Sequence, residues 1–519
     1  MYLYDIISKK QHYLILLILS ILTFFSVNRF IYIYDGHHHG LMLSNALELL
    51  SGKVPFKEIF IQYGILTTLL HAGVIFFFGE KLLYLNIFTI LLYYSSVYLI
   101  FLIVKFYTNL TYAFLGLIIL LLNHPTPWIP WANYISFFFI TLGVYFNTKD
   151  SKLFFFLSGI LFGLSVLSRF DYFLAIFLTL IIHQIFLYFL NKNKNVFKNY
   201  SYLLFGFILT LMIFLTYLNV NNLYIYWIKY LYLPSLYLDE TNSTIISYFL
   251  SFLNYFSYEW FFNFIINPQA SIIAFIIFFN IIFFLNKTKN SNPSLLFISI
   301  LAVLLCSVSI STELFRLYTS VSIGLITSLF ILYNIKDNNS RKIFSYILIL
   351  ISLFSFIFYP EGNTKRLIID KNNYTFTKTL NPIFSFQKWP ESHVRTLNFI
   401  NDIKTKVTNK CNIRFGENLT FDNFYSIELG LDRVRVIPHV KSDIKNTQLS
   451  LFFDNTFLEK INSLIANQEI IILVTEKNDE FSFGKVKYTS SYTFKTININ
   501  DIKEKPKSLR IYYPKNCLN

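Results

Sequence analysis

Residues Tyr34–Tyr63 read YDGHHHGLMLSNALELLSGKVPFKEIFIQY and follow directly on the first long apolar run of the chain. The stretch begins with an acid, Asp35, and continues through three consecutive histidines, His37, His38 and His39. A helical pattern of apolar residues comes next and ends in a Gly-Lys-Val-Pro turn, which is typical of a helix C-terminus. Polar groups this dense beside a hydrophobic run predict that the stretch lies where a membrane span meets water.

The composition indicates a polytopic membrane protein. The chain has 519 residues, a mean hydropathy of +0.50, 55% hydrophobic residues and only 14% charged residues, which excludes an ordinary soluble protein of this length. The formal net charge of +15 could suggest a nucleic-acid partner. The lysines, however, occur in short loops between apolar runs, where they set membrane topology. We therefore predict membrane lipids as surroundings and no nucleic acid as partner.

Apolar runs that could cross a bilayer recur through the first 360 residues. A further run, Gln62–Phe78, decides the topology. Counting it as a span would place nine later lysines and arginines outside, whereas an interfacial helix keeps them on the side of Lys9 and Lys10. We thus predict about eleven spans, at Tyr13–Tyr34, Leu82–Val104, Tyr107–Leu122, Ala132–Phe146, Leu153–Ser168, Tyr172–Leu190, Tyr200–Val220, Ala270–Leu285, Ser294–Ile310, Arg316–Tyr333 and Ile343–Tyr359.

The predicted fold is an all-α polytopic membrane domain, with two interfacial helices in its first outer loop, followed by a small soluble α/β domain. The first run lacks a small-residue cleavage site, so we expect a retained span with a cytoplasmic N-terminus. With an odd number of spans, the C-terminus then lies on the extracytoplasmic side of the cell membrane, which is the inner or plasma membrane. In a cell that has a periplasm, this side is the periplasm. The expected domains are residues 1–360 and 361–519.

The tail after residue 360 alternates predicted strands and helices. Strands are expected at Cys411–Phe415, Arg433–Ile437 and Glu469–Val474, and helices at Phe421–Leu429 and Phe457–Ala466. Outside the cytoplasm, Cys411 and Cys517 could form a disulfide or remain free thiols, and the sequence leaves both open.

Charged side chains collect at the predicted outer ends of the spans. A carboxylate there could take a proton from a hydroxyl, and an arginine could bind a phosphate through its planar fork. The candidates are Asp35, His124, Arg169, Asp171, Glu313 and Arg316.

Each candidate also has a structural interpretation. Asp35 could cap the following helix, Arg169 and Asp171 could form a simple ion pair, and Arg316 could be an interface anchor. The three histidines could hold a divalent metal, but adjacent residues seldom point the same way, so a metal is possible and not favoured.

At these residues the chain resembles the C-superfamily (GT-C) of membrane glycosyltransferases. The nearest branch contains protein O-mannosyltransferases, aminoarabinose transferases of lipid A and Rgt-type lipopolysaccharide-core galacturonosyltransferases. The matching features are Asp35 after the first span, the LELLSGKVP helix end, the interfacial helix from Gln62, the Gly-Leu run that ends at Arg169, and Arg316–Tyr318. One departure is Asn133, which stands where many relatives have a second acid.

The resemblance implies an integral membrane hexosyl- or pentosyltransferase with a polyprenyl-phosphate-linked sugar donor. The acceptor would be lipopolysaccharide, another cell-envelope glycan, a lipid or a protein. Asp35 would be the general base, and Arg169 and Arg316 would bind the donor phosphate. Supporting contacts would come from His37, His38, His39, Gln62, Tyr63, His124, Asn133, Asp171 and Glu313. The alternatives are an O-antigen-type polymerase or ligase and a transporter or flippase of lipid-linked sugars.

Overall fold

A computed structural model gives the architecture of the chain. It describes residues 2–31, 36–59, 61–124, 126–127, 129–149, 151–190, 194–231, 268–285, 292–307, 314–358, 374–376, 381–384, 387–406, 413–417, 427–429, 432–435, 470–476, 492–499 and 507–514. The predicted Asp35 and Glu313, the two cysteines Cys411 and Cys517, and the predicted helix at Phe457–Ala466 lie outside the described residues.

Every one of the eleven predicted spans coincides with an α-helix of the structure. These helices are α1 (Tyr2–Phe30), α4 (Leu82–Tyr107), α5 (Leu110–Asn123), α6 (Ala132–Asn147), α7 (Lys152–Ser168), α8 (Tyr172–Leu190), α9 (Lys194–Val220), α11 (Pro268–Leu285), α12 (Pro293–Ser307), α13 (Leu314–Asn334) and α14 (Asn338–Phe358). A short helix, α10 (Tyr224–Leu231), follows α9.

Length and hydropathy show which of these helices could cross a membrane alone. Among the described residues, six helices are long and apolar enough to cross a membrane: Lys10–Phe30, Leu82–Tyr107, Tyr172–Phe189, Phe197–Val220, Leu317–Asn334 and Asn338–Ile357. Several further apolar helices are shorter, for example Leu110–Asn123 and Lys152–Ser168. The chain is therefore a multi-pass membrane protein, while the number of eleven spans stays a prediction.

Contacts divide the chain into two compact units. The first comprises Met1–Arg29, Ile61–Thr67 and Ile87–Ile369, and the second comprises Phe30–Phe60, Thr68–Asn86 and Asp370–Asn519. The expected domain boundary at residue 360 stays a prediction.

Within the first unit, α7 packs on α6 and on α9. Glycines allow the second crossing to be close, because a Cβ at Gly159 would lie 2.0 Å from the Leu203 carbonyl oxygen and one at Gly206 would lie 2.2 Å from the Phe156 carbonyl oxygen. Helix α13 packs on α11 and α12, and α5 lies against α13 and α14. The C-terminal ends of α5 and α7 and the N-terminal ends of α6 and α13 carry the residues of interest.

The second unit contains the helix predicted from the Tyr34–Tyr63 stretch, α2 (Gly36–Leu50). The helix ends in a Schellman motif: Gly52 has φ +87°, the Gly52 N–H donates to Leu49 O, and the Lys53 N–H donates to Glu48 O. The Lys53 ammonium also lies 3.0 Å from the buried Glu48 carboxylate. The glycine-containing turn predicted at this position is thus present.

The helix predicted to be the second interfacial helix is α3 (Ile65–Phe78), which begins three residues later than the predicted Gln62. Its position relative to a membrane stays a prediction. Residues 62–64 are irregular, because the Tyr63 carbonyl accepts a hydrogen bond from the Phe170 N–H instead of continuing a helix (3.2 Å). At the other end of α3, Phe76, Phe77 and Phe78 are each more than two-thirds exposed, which fits a helix that ends at a membrane interface.

The tail contains a five-stranded mixed sheet of order β4-β3-β5-β7-β6. Its strands are β3 (Ile413–Glu417), β4 (Asp432–Arg435), β5 (Ile470–Glu476), β6 (Tyr492–Ile499) and β7 (Lys507–Pro514). β3 runs parallel to β4 and β5, whereas β7 runs antiparallel to β5 and β6. The strands β3, β4 and β5 lie at the positions predicted for strands, within two residues at each end.

Before the sheet, β1 (Tyr374–Phe376) pairs antiparallel with β2 (Lys388–Pro390), and α15 (Glu391–Lys406) follows. Trp389 is fully buried and stacks edge-on against Phe384 (5.3 Å between ring centroids). The sequence analysis did not predict α15. Of the helix predicted at Phe421–Leu429, the described residues are the last three, and Ile427 and Glu428 are helical.

Candidate functional site

Three residues connect α7 to α8 and carry the first charged group of the site. Helix α7 ends at Ser168, where Arg169 turns to extended backbone (φ −150°, ψ 99°) while its N–H still donates to Ser165 O and Val166 O. Phe170 and Asp171 complete the turn, and α8 begins at Tyr172. Because the turn is so short, the Arg169 and Asp171 side chains leave the chain close together.

Arg169 forms a bidentate ion pair with Asp171. Its Nε lies 2.7 Å from both carboxylate oxygens and its Nη2 lies 2.5 Å from Oδ2. Both side chains are largely buried, at 10% and 19% exposure. Burial by itself would lower the pKa of Arg169, but the Asp171 carboxylate outweighs burial and raises that pKa above its usual value. The guanidinium is therefore permanently charged. The ion pair considered in the sequence analysis is present.

Aromatic rings surround the same guanidinium. The Arg169 Cζ lies 4.8 Å from the Tyr172 ring centroid and 5.6 Å from the Trp131 ring centroid. Tyr63 packs edge-on against Trp131, with 6.4 Å between centroids. The third guanidinium nitrogen, Nη1, is buried and has no hydrogen-bond partner among the described residues. A buried charged donor without an acceptor is costly, so this nitrogen marks a place for an anionic group.

The loop before α3 is held against this turn by backbone contacts. A Cβ added at Gly64 would lie 2.2 Å from the Leu167 carbonyl oxygen, so only glycine allows this approach. The Thr67 hydroxyl donates to the Ser168 carbonyl at 3.0 Å, which adds to the bond between Phe170 N–H and Tyr63 O. The structure thus brings Tyr63, a residue of the opening stretch, beside Arg169, about a hundred residues further along the chain. Gln62 is half-buried next to it.

His124 lies in a buried cluster of hydroxyl groups. The Tyr93 hydroxyl donates to the His124 carbonyl and lies 3.1 Å from His124 Nδ1, while the Tyr134 hydroxyl lies 3.2 Å from Nε2. Tyr93 and Tyr318 share a hydroxyl contact of 2.9 Å. This cluster ties the ends of α5, α6 and α13 together. His124 is predicted from sequence as a substrate contact, and the structure shows it fully buried among these tyrosines.

Asn133 lies in the first turn of α6, between Trp131 and Tyr134. Its side chain is buried, and its Oδ1 has no hydrogen-bond partner among the described residues. An amide at this position can bind a hydroxyl but supplies no charge, in contrast to the acid of the related family.

The other predicted residues are described in part. Arg316 lies in the first turn of α13, but its side chain, like that of His37, is outside the described set. In the second unit, His38 is half-buried, and His39 is buried edge-on against Phe30 (5.9 Å). Among the described residues, no group of three or more His, Cys, Asp or Glu side chains could hold a metal ion.

Four aromatic residues of the site were not predicted from the sequence: Tyr93, Trp131, Tyr134 and Tyr172. Their spacing carries no signal, because the chain contains 60 Phe and 37 Tyr and aromatic residues occur throughout the apolar runs. The usable hint was position, since Trp131 directly precedes a helix whose second residue is the polar Asn133.

Comparison with known proteins gives no match by sequence and a clear one by structure. No protein-family model matches the chain, and no curated protein does. ArnT from Cupriavidus metallidurans, solved bound to undecaprenyl phosphate, aligns with a TM-score of 0.54 at 10% identity, over 96% of this chain and 98% of that chain. Its apo structure aligns with a TM-score of 0.51 at 10% identity, over 97% and 98%.

The apo oligosaccharyltransferase from Archaeoglobus fulgidus has a TM-score of 0.49 at 10% identity, over 89% of this chain and 70% of that chain. ArnT is a C-superfamily glycosyltransferase and aligns along nearly its whole length. The chain therefore has the fold of the C-superfamily membrane glycosyltransferases, as the resemblance of its sequence predicted.

Proposed function

We propose that the protein is an integral membrane glycosyltransferase that moves a sugar from a polyprenyl-phosphate donor to an extracytoplasmic acceptor. Arg169 binds the donor phosphate together with Arg316, and Asp35 is the general base. The lysine-rich connectors remain in the cytoplasm, and the site and the tail face the opposite side.

The observation that carries the proposal is the buried Arg169 guanidinium. Its Nη1 lacks a partner among the described residues, and its charge is fixed. Arginine is the side chain best suited to phosphate, because adjacent N–H groups match two phosphate oxygens. The turn between the end of α7 and the start of α8 also suits a lipid phosphate, because such a phosphate stays at headgroup depth while the lipid chain remains in the membrane.

The aromatic residues give the site a second property. Tyr63 and Trp131 lie in contact beside the guanidinium, and both combine an apolar face with a polar edge. Such rings suit a sugar, whose C–H face is apolar and whose hydroxyl groups bind hydrogen-bonding partners. The Asn133 Oδ1, which has no hydrogen-bond partner among the described residues, would accept a hydrogen bond from a sugar or acceptor hydroxyl.

The fold supports the same proposal. One structure of ArnT that aligns with this chain, at a TM-score of 0.54, contains undecaprenyl phosphate, a polyprenyl phosphate. The alignment extends through the tail, which supports a glycosyltransferase over a transporter of lipid-linked sugars.

The reaction follows from these roles. The Asp35 carboxylate takes the proton of an acceptor hydroxyl, whose oxygen attacks the anomeric carbon. The bond from that carbon to the phosphate oxygen breaks, and its electron pair goes to the departing polyprenyl phosphate. Arg169 and Arg316 stabilise the negative charge that develops there. A single displacement inverts the anomeric carbon.

Two variants of the full-length protein in lipid nanodiscs test the proposal. Arg169→Gln should weaken binding of undecaprenyl phosphate by about tenfold to a hundredfold, the usual effect of losing a charge-assisted contact. Arg341→Gln is the matched control, because Arg341 lies in the first turn of α14, beyond the end of α13 that is opposite to Arg316. Equal binding by Arg169→Gln and the control would refute the phosphate site. Equal sugar transfer by Asp35→Asn and wild type would remove Asp35 as the base.

A further inference from the structure

The ion pair with Asp171 occupies one edge of the Arg169 guanidinium and leaves a second edge that Asp171 does not contact. Asp171 takes the edge formed by Nε and Nη2, with three contacts of 2.5–2.7 Å. The N–H groups of Nη1, and the second N–H of Nη2, point along the remaining edge. The guanidinium carbon also lies 5.6 Å from the Trp131 ring centroid and 4.8 Å from the Tyr172 ring centroid. A phosphate that binds along the remaining edge therefore meets a cation whose charge is already balanced by Asp171.

We propose that Asp171 sets the charge preference of the phosphate site, so that the singly charged donor binds as well as the doubly charged product. This inference rests on the proposed function. In that reaction Asp171 is a positioning residue, since it acts through Arg169 and touches no reacting atom.

The physical reason is the charge of the two lipids. A sugar-linked polyprenyl phosphate is a phosphodiester with one negative charge. The released polyprenyl phosphate is a monoester whose second pKa is about 6, so it carries two charges at pH 7.5. An isolated arginine would bind the dianion more tightly and slow its release. With Asp171 beside it, the Arg169 pair has a net charge near zero, so this pair, apart from Arg316, offers directed N–H groups with little excess attraction for the dianion.

The size of the effect follows from Coulomb's law. Removing one negative charge about 6 Å from a phosphate, in a site that is partly solvated, strengthens binding by about tenfold for each phosphate charge. Asp171→Asn should therefore raise the affinity for both lipids, and the affinity for the doubly charged lipid should rise by about tenfold more than that for the singly charged one. A purely structural role for Asp171 would weaken both lipids to the same extent.

The experiment compares two probes on full-length protein in nanodiscs at pH 7.5: undecaprenyl phosphate and its methyl ester, a diester without sugar. We expect wild type to bind them within threefold of each other and Asp171→Asn to favour the monoester by about tenfold. Asp171→Glu keeps the charge and should restore the wild-type ratio. Asp337→Asn is the matched control, because Asp337 lies beyond the far end of α13, about 30 Å along the helix from Tyr318.

The outcomes separate this inference from the proposed function. An unchanged ratio in Asp171→Asn, with both lipids still dependent on Arg169, would overturn the role of Asp171 alone. Binding that does not depend on Arg169 would overturn the phosphate site itself. Asp171→Asn could fail to fold because Arg169 would be left buried and without its carboxylate partner. In that case the ratio of the wild-type affinities for the two lipids still tests the inference. A wild-type preference of more than tenfold for the monoester would overturn the inference.

Discussion

The contact between Gly64 and the end of α7 makes a quantitative prediction. In Gly64→Ala the new Cβ would lie 2.2 Å from the Leu167 carbonyl oxygen and 2.6 Å from the Ser168 carbonyl carbon. These are backbone atoms at the end of a helix, so they cannot rotate away as a side chain could. The loop before α3 must therefore move away from the turn that carries Arg169.

The cost has two parts. The displacement breaks the bond from Phe170 N–H to Tyr63 O and the bond from the Thr67 hydroxyl to Ser168 O, at about 1 kcal/mol each. Over-packing of a close contact adds about 1–3 kcal/mol. Gly64→Ala should then destabilise the protein by about 3–5 kcal/mol. It should also weaken undecaprenyl phosphate binding, because the displaced Tyr63 packs on Trp131 beside Arg169.

The assay is thermal unfolding of the full-length protein in detergent, followed by tryptophan fluorescence, with lipid binding measured in parallel. Gly73→Ala in the following helix α3 is the matched control, since a Cβ at Gly73 would meet nothing within 4 Å. Replacing this helical glycine should leave stability unchanged or raise it by about 0.5–1 kcal/mol. If Gly64→Ala unfolds at the same temperature as Gly73→Ala, the close approach described here is wrong.

Two further predictions concern buried polar groups. Tyr93→Phe should lower the free energy of unfolding by about 2–3 kcal/mol, because the Tyr93 hydroxyl contacts both His124 and Tyr318. Tyr134→Phe removes the hydroxyl contact to His124 Nε2 and should lower it by about 1 kcal/mol. Equal melting temperatures of the two variants would contradict this order. Burial lowers the pKa of His71, in the interfacial helix α3, from 6.5 to about 3. The unfolded chain then binds the proton more readily, so stability is lost as pH falls from 6.5 toward 3, by about 2 kcal/mol at pH 5. In His71→Gln, the melting temperature should change less between pH 7 and pH 5 than it does in the wild type. An equal pH dependence in the two proteins would refute this prediction.

The positions of the helices along the chain could largely be predicted from the sequence, whereas the number of spans stays a prediction. Length, hydropathy and the position of lysines locate the helices, because a helix that faces lipid needs a continuous apolar run whatever its neighbours are. The end of α2 was equally local, since the glycine turn at Gly52 depends on backbone conformation within a few residues. The same holds for strand β5, whose apolar run Ile470–Val474 is short but clear.

The site was only partly predictable. The sequence by itself determined that Arg169 and Asp171 share a short turn, since they are two residues apart, and that this turn follows a span. Asp35 and Arg316 stay predictions, because their side chains lie outside the described residues.

Only the tertiary structure decided which residues surround the guanidinium. Tyr63, Trp131 and Tyr172 come from three separate segments, and Gly64 allows the first of them to approach by leaving no side chain against Leu167. Apolar patterning fixes where a helix lies along the chain, but it does not fix which face meets which neighbour when Phe and Tyr occur on every side. The packing of the bundle makes that choice, and with it leaves Arg169 Nη1 buried without an acceptor among the described residues.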